Sequence, residues 1–290
     1  MDIQRARIIT AMVTPFDQEN KVDNEQLKLF IEYLISTGTE GIVVGGTTGE
    51  SPTLSHDEKL ALYQKTVEYV AGRIPIIAGT GSNNTAETIS FTQEVEKISG
   101  IDAALVVTPY YNKPNQAGLF AHFEAVARST TLPIMIYNVP GRTSVSIDPE
   151  TTIRLSAIDN VIGIKECAGL DAMSQIISHT SEDFLVYTGE DNLSLPAKAI
   201  GANGVVSVAS QVFGKEMAEM YDALEDGHLK RAAELSAELL PKMDSLFSVP
   251  SPAPTKCVLN HNGVAVGGLR LPLVECTPEE KESILAICYP

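Results

Sequence analysis

The chain has 290 residues, 44% of them hydrophobic and 20% charged, enough to bury a large core and within the range of a single α/β barrel. A net charge of −16 opposes phosphate backbones and anionic bilayers, which excludes nucleic acid and membrane surfaces as expected partners. It does not exclude a small anionic metabolite, because one Arg, one Lys or a few aimed backbone amides make a pocket locally positive.

At the start, the stretch from Met1 to Phe16 holds the apolar run Ile8 to Val13. It is too short for a membrane span and lacks an export cleavage pattern, so a soluble cytoplasmic protein is expected. Seven further apolar, β-branched runs follow: Gly41 to Gly46, Pro75 to Thr80, Ala103 to Pro109, Pro133 to Pro140, Val161 to Cys167, Phe184 to Gly189 and Gly204 to Ala209. Their spacing, roughly 20 to 35 residues, is the rhythm of βα units. Apolar residues run through them without alternation, as in parallel strands covered on both faces.

Helix signals lie between the runs. Ser55 and Glu58 form a capping-box pattern, and Asp148-Pro149 opens another helix. After the eighth run the chain is predicted to be mostly helical from Phe213 onward, with Ser248 to Pro254 as a stiff connector and Thr277-Pro278-Glu279-Glu280 opening a final capped helix. The pattern predicts a (β/α)8 TIM barrel over residues 1–226 and a C-terminal helical appendage over 227–290 packed on the barrel.

In a barrel, chemistry belongs to strand C-termini and the loops after them. Lys165 sits at the end of the sixth run, where burial is expected to lower its pKa and free a nucleophilic amine. The same pattern also suits a lysine that snorkels or pairs with Glu166. Gly45 to Ser51 follows the second run and reads either as an anion cradle, with the Thr47 and Thr48 hydroxyls, or as a plain glycine turn. It lacks the lysine of a P-loop. Thr108 to Pro114 ends the fourth run and brings Tyr110 and Tyr111. Tyr137 to Thr143 ends the fifth and brings a phenol suited to proton relay and the Arg142 fork suited to a carboxylate. Singly these are packing tyrosines and a surface arginine; together they place reactive groups on four strand ends.

His56, His122, His179, His228 and His261 show neither HExxH nor HxH spacing, and no Cys/His cluster offers a metal cage. Cys167, Cys257, Cys276 and Cys288 lack CxxC spacing, which fits a reducing compartment.

Gly46-Thr47-Thr48-Gly49-Glu50-Ser51, Thr108-Pro109-Tyr110-Tyr111-Asn112, Tyr137-Asn138-Val139-Pro140-x-Arg142-Thr143 and Gly163-Ile164-Lys165-Glu166 resemble, in order and spacing, the dihydrodipicolinate synthase branch of the N-acetylneuraminate lyase superfamily. The resemblance covers essentially the whole chain. It implies a lyase of lysine and diaminopimelate biosynthesis that condenses pyruvate with aspartate semialdehyde and needs no metal or organic cofactor. Lys165 would form the imine, and Thr47 with Thr48 would hold the pyruvate carboxylate. Thr48, Tyr137 and Tyr111 would relay protons, with Tyr111 reaching in from a neighbouring subunit of a homotetramer, a dimer of dimers. Arg142 would bind the semialdehyde carboxylate, while Gly189 and Val206 would line the pocket with backbone.

The resemblance also points to a regulatory lysine site at Ser51, Pro52, His56, Lys59, Asn83, Glu87 and Tyr110. Regulated members commonly carry alanine and histidine where this chain has Pro52 and Lys59, and an ammonium there opposes a second cation, so weak or absent inhibition is expected. Two other readings stand beside this one. A sialic acid or 2-keto-3-deoxy sugar acid lyase would share the lysine and threonines, although Arg142 suits a short carboxylated aldehyde better. An inactive barrel scaffold would share the fold.

Overall fold

The computed structural model describes residues 3–290, so the first two positions of the Met1 to Phe16 stretch lie outside the described residues. The eight apolar runs become β1 (Ile8–Ala11), β2 (Gly41–Val44), β3 (Ile76–Gly79), β4 (Ala103–Val107), β5 (Ile134–Asn138), β6 (Val161–Glu166), β7 (Leu185–Thr188) and β8 (Gly204–Ser207). They close in that order into a barrel. The helices are α1 (Asn24–Ser36), α2 (His56–Val70), α3 (Thr85–Val95), α4 (Gln116–Arg128), α5 (Pro140–Thr143), α6 (Pro149–Leu155), α7 (Leu170–His179), α8 (Ser194–Ala199), α9 (Ser210–Glu225), α10 (Leu229–Ser245), α11 (Ala253–His261) and α12 (Pro278–Cys288). This is the expected (β/α)8 fold with extra C-terminal helices. Nearly every strand residue is buried, which is why the runs are apolar at successive positions rather than alternate ones.

The chain divides into two compact units. The first takes the residues up to Arg7 and Pro75–Val206, and with them β3 to β7, most of β8 and helices α3 to α8. Its strands pair in parallel, with Tyr137 beside Lys165 and Lys165 beside Tyr187 in register. Its helices pack in succession, α3 on α4, α4 on α6, α6 on α7 and α7 on α8. The Tyr187 hydroxyl donates to the carbonyls of Ile3 and Ala6, both at 2.8 Å, and so ties the N-terminal segment to β7.

The second unit takes Ile8–Ile74 and Ser207–Pro290. Its β1 and β2 pair in parallel, and α1 packs on α2. Both predicted capping boxes form, Ser55 with Glu58 and Thr277 with Glu280, each contributing about 1 kcal/mol by satisfying helix-end amides. Leu235, Leu239 and Met243 make the buried stripe of α10, which packs on α9 and α12, while α11 packs on α9 and α12.

Three boundaries differ from expectation. The helix after β8 starts at Ser210, and Phe213 is instead a kink inside it, at φ −118° and ψ 30°. Ala253 and Pro254 leave the connector to form the first turn of α11, where proline is tolerated because a first-turn amide has no intrahelical acceptor. Residues 262–277 are irregular rather than helical; Gly263 and Gly267 adopt positive φ there, and Pro272 cannot continue a helix.

Candidate active site

In the first unit, Lys165 is 6% exposed. Because Tyr137 is its register partner on β5, both side chains leave the same sheet face, and the Lys165 Nζ lies 4.4 Å from the centre of the Tyr137 ring. Glu166 and Asn138 are the next register pair and leave the opposite face, where Asn138 Nδ2 donates to Glu166 Oε1 at 2.8 Å. The alternative reading, in which Lys165 pairs with Glu166, is not realised, because alternation sends the two side chains to opposite faces.

The electrostatics of Lys165 correct the sequence reading. Burial does oppose its charge, but the neighbouring Tyr137, Cys167, Asp191 and Glu190 groups outweigh that and raise its pKa above the ordinary lysine value. The resting side chain is an ammonium, and it must lose a proton before acting as a nucleophile. Burial pushes Glu166 up to about 7 against its hydrogen bonds from Ala168, Asn138 and Cys167. Its Oε2 has no hydrogen-bond partner, as suits a carboxyl group close to neutral. Burial also pushes the Cys167 thiol well above its ordinary range.

Gly189, placed in the sequence reading as a backbone lining position, packs directly on the lysine. A Cβ there would lie 2.3 Å from Cys167 Sγ and 2.5 Å from Lys165 Cε. Only a missing side chain lets the Lys165 stem pass at this point. Val206 is fully buried in β8. Asp191, 3% exposed, and Glu190 follow Gly189. Sequence reasoning passed over both, although the rule that chemistry gathers at strand ends applied to β7 as well as to β4, β5 and β6.

Elsewhere in this unit, Arg142 is exposed on the short α5 turn, and its guanidinium makes no hydrogen bond or ion pair among the described residues. Tyr111 is 88% exposed with φ 71°, an uncommon conformation for a bulky residue. Asn83 and Tyr110 meet, the Asn83 amide donating to the Tyr110 carbonyl at 3.1 Å. Glu87 accepts from Ser82 Oγ at 3.3 Å.

In the second unit, Thr48 is buried and Thr47 half-buried in the loop after β2. Gly45 at its start has φ 63°, and a Cβ there would strike the Tyr63 hydroxyl at 2.2 Å. Thr14 Oγ1 donates to the Gly49 carbonyl at 2.6 Å. Glu50, at φ 56°, is the buried anchor of the loop. Lys256 Nζ pairs with its Oε1 at 2.8 Å, both side chains at most 2% exposed, and the Arg270 amide donates to its Oε2 at 2.9 Å. Arg270 also grips Glu58, whose pKa that guanidinium lowers to about 2. Lys256 and Arg270 were missed in the sequence; a lysine embedded among Pro254, Thr255 and Val258 was the available signal. Ser51 follows this loop, and His56 and Lys59 lie on the first turn of α2. Burial lowers the Lys59 pKa.

Among the described residues, no group of three His, Cys, Asp or Glu side chains could hold a metal ion, and no helix is long and apolar enough to cross a membrane.

Comparison with known proteins agrees with this geometry. The model of the dihydrodipicolinate synthetase family matches residues 4–288. The chain is 58% identical over 283 residues to 4-hydroxy-tetrahydrodipicolinate synthase of Listeria innocua, covering 97% of each chain. It is 55% identical over 285 residues to the enzyme of the same name from Enterococcus faecalis, covering 98% of each. Among solved structures, a dihydrodipicolinate synthase from Bacillus anthracis superposes with a TM-score of 0.96 at 49% identity, with 98% of this chain and 97% of that one covered. With the barrel, the buried strand-six lysine and the matched motifs in agreement along its length, the chain belongs to the dihydrodipicolinate synthetase family.

Proposed function

We propose that this chain is a lyase that condenses pyruvate with L-aspartate 4-semialdehyde through a Schiff base on Lys165, in diaminopimelate and lysine biosynthesis. The observation that carries the reading is a buried lysine held 4.4 Å from a tyrosine ring in a family member. Deprotonated Lys165 attacks the keto carbon of pyruvate, and loss of water gives the imine, which acts as an electron sink. The pyruvate methyl group then loses a proton to give an enamine. That carbon attacks the semialdehyde aldehyde, and the amino group of the product displaces Lys165 as the ring closes.

Tyr137 is suited to move protons because its phenol stands over the same sheet face as the amine. Thr47 and Thr48 are assigned the pyruvate carboxylate, with Thr48, Tyr137 and Tyr111 as the relay. Arg142 is assigned the semialdehyde carboxylate, a role its uncommitted planar fork supports. Gly189 and Val206 are assigned the pocket wall. The exposure of Tyr111 supports its use by a neighbouring subunit of a homotetramer, and a cytoplasmic location fits a biosynthetic enzyme of this kind.

Treatment with pyruvate and borohydride tests the reading. The reduced pyruvyl adduct is expected on Lys165 and nowhere else, and folded protein that stays unmodified would exclude the imine route. Ser51, His56, Lys59, Asn83, Glu87 and Tyr110 are assigned the place of a regulatory lysine site that is weak or silent here, because the Lys59 cation opposes a cationic ligand. Initial rates titrated with L-lysine should stay nearly flat, and strong inhibition at physiological concentrations would overturn that assignment.

A further inference from the structure

Two cysteines far along the chain from Lys165 are side by side. Cys257 lies on α11 and Cys276 immediately before the Thr277 cap of α12, two helices that pack together. Each thiol shifts the protonation of the other. Both line one cavity of about 190 Å³, with Lys256, Asn260, Glu275 and Lys281 among its other walls. A water molecule takes about 30 Å³, so the cavity admits a molecule the size of a peroxide.

We propose that Cys257 and Cys276 are a modification site that a small hydroperoxide converts to a reversible intramolecular disulfide. A disulfide demands sulfurs about 2 Å apart on converging Cβ atoms, and two thiols that share one cavity wall have only that cavity to cross. Cys276 lies in the irregular segment 262–277, two residues from the 66% exposed Val274, outside any helix that would fix its backbone.

The roles of the two sulfurs differ. Burial raises the pKa of both, but the Lys281 ammonium, which lines the same cavity, favours the Cys257 anion, whereas burial and the Cys257 charge push Cys276 up to about 11. Cys257 is therefore the attacking thiolate. Its sulfur displaces hydroxide from the peroxide O–O bond and becomes a sulfenic acid. The Cys276 sulfur then displaces that hydroxyl as water and gives up its proton. Overall, two thiols and one hydrogen peroxide give one disulfide and two waters: the sulfurs lose two electrons together and the peroxide oxygens gain them. The new bond would close the segment Val258–Glu275, which carries Arg270, one of the groups that holds Glu50.

Reduced full-length protein would be treated with hydrogen peroxide, alkylated with iodoacetamide and mapped by mass spectrometry without reduction. The expected result is joint loss of alkylation at Cys257 and Cys276, a peptide pair linking them, and full reversal by dithiothreitol. Cys276→Ser should stop at a Cys257 sulfenic acid that dimedone captures. Continued alkylation of both cysteines in the unmodified sequence, a bond from Cys257 to Cys288 or to another chain, or overoxidation of Cys257 without a cross-link would each overturn the proposal. The map of the unmodified sequence decides this whether or not the serine variant folds.

Discussion

Adding one methyl group at Gly189 should disable Lys165 without touching it chemically. No φ strain arises, since Gly189 is not among the positive-φ glycines, so Gly189→Ala acts through space alone. Its Cβ would stand 2.5 Å from Lys165 Cε and 2.3 Å from Cys167 Sγ. Carbon atoms settle at about 3.5–4.0 Å, so the lysine stem must retreat by about 1 Å and carry its nitrogen with it. Misplacement on that scale costs up to about 100-fold in rate, and we expect kcat/KM to fall about 10- to 100-fold, or about 1.4–2.7 kcal/mol of transition-state stabilisation. Overpacking should also lower stability by about 1–3 kcal/mol.

The assays are steady-state condensation of pyruvate with aspartate semialdehyde, and the rate of borohydride-trapped adduct formation, which isolates imine formation from later steps. Gly141→Ala is the control, because nothing lies within 4 Å of a Cβ at that position. Adding Cys167→Ala to Gly189→Ala removes the sulfur clash but leaves the clash with Cε, so it should recover stability more than activity. If Gly189→Ala trapped pyruvate and turned over as fast as the parent, the packing of Gly189 on the lysine stem would not govern the amine, and the reasoning would fail.

Other outcomes follow from the charges. Because Lys165 rests as an ammonium with a raised pKa, the reactive amine fraction grows about tenfold per pH unit below that pKa. Quenched borohydride trapping should therefore accelerate steadily from pH 7 to pH 9, and a flat profile would count against an ammonium resting state. The folded pKa of Glu166, about 7 against 4.5, means the native state binds the extra proton. Its contribution to stability is present below pH 4.5 and is lost as pH rises through 7, by up to about 3 kcal/mol. Glu166→Gln should flatten that decline in urea unfolding at pH 5 and pH 8, and an unchanged slope would contradict it. Lys256→Met would leave the Glu50 charge buried without its ammonium partner and should cost about 3–5 kcal/mol in denaturant unfolding. The double variant with Glu50→Gln should recover a measurable part, and equal destabilisation of both would refute the pairing.

The eight strands and the caps at Ser55 and Thr277 were legible because each rests on local chemistry: continuous apolar runs, and hydroxyls three residues before a glutamate. Lys165 was legible for a similar reason, being a charged residue at the end of an apolar run. The helix starts at Ser210 and Ala253 were not, since kinks and first-turn prolines depend on what the chain packs against. Nor was the role of Lys256. Its partner Glu50 lies some two hundred residues earlier, and no local pattern joins them.

By itself the amino-acid order determined the alternation of strand and helix, the lysine that ends β6, and the motifs that carry the family likeness, since these depend on neighbours along the chain. Folding decided the state of the amine. The expected drop in its pKa came from burial alone, whereas the rise comes from Tyr137, Cys167, Asp191 and Glu190 gathered around it. Electrostatic energy depends on distance through space, and only the packed strands set those distances.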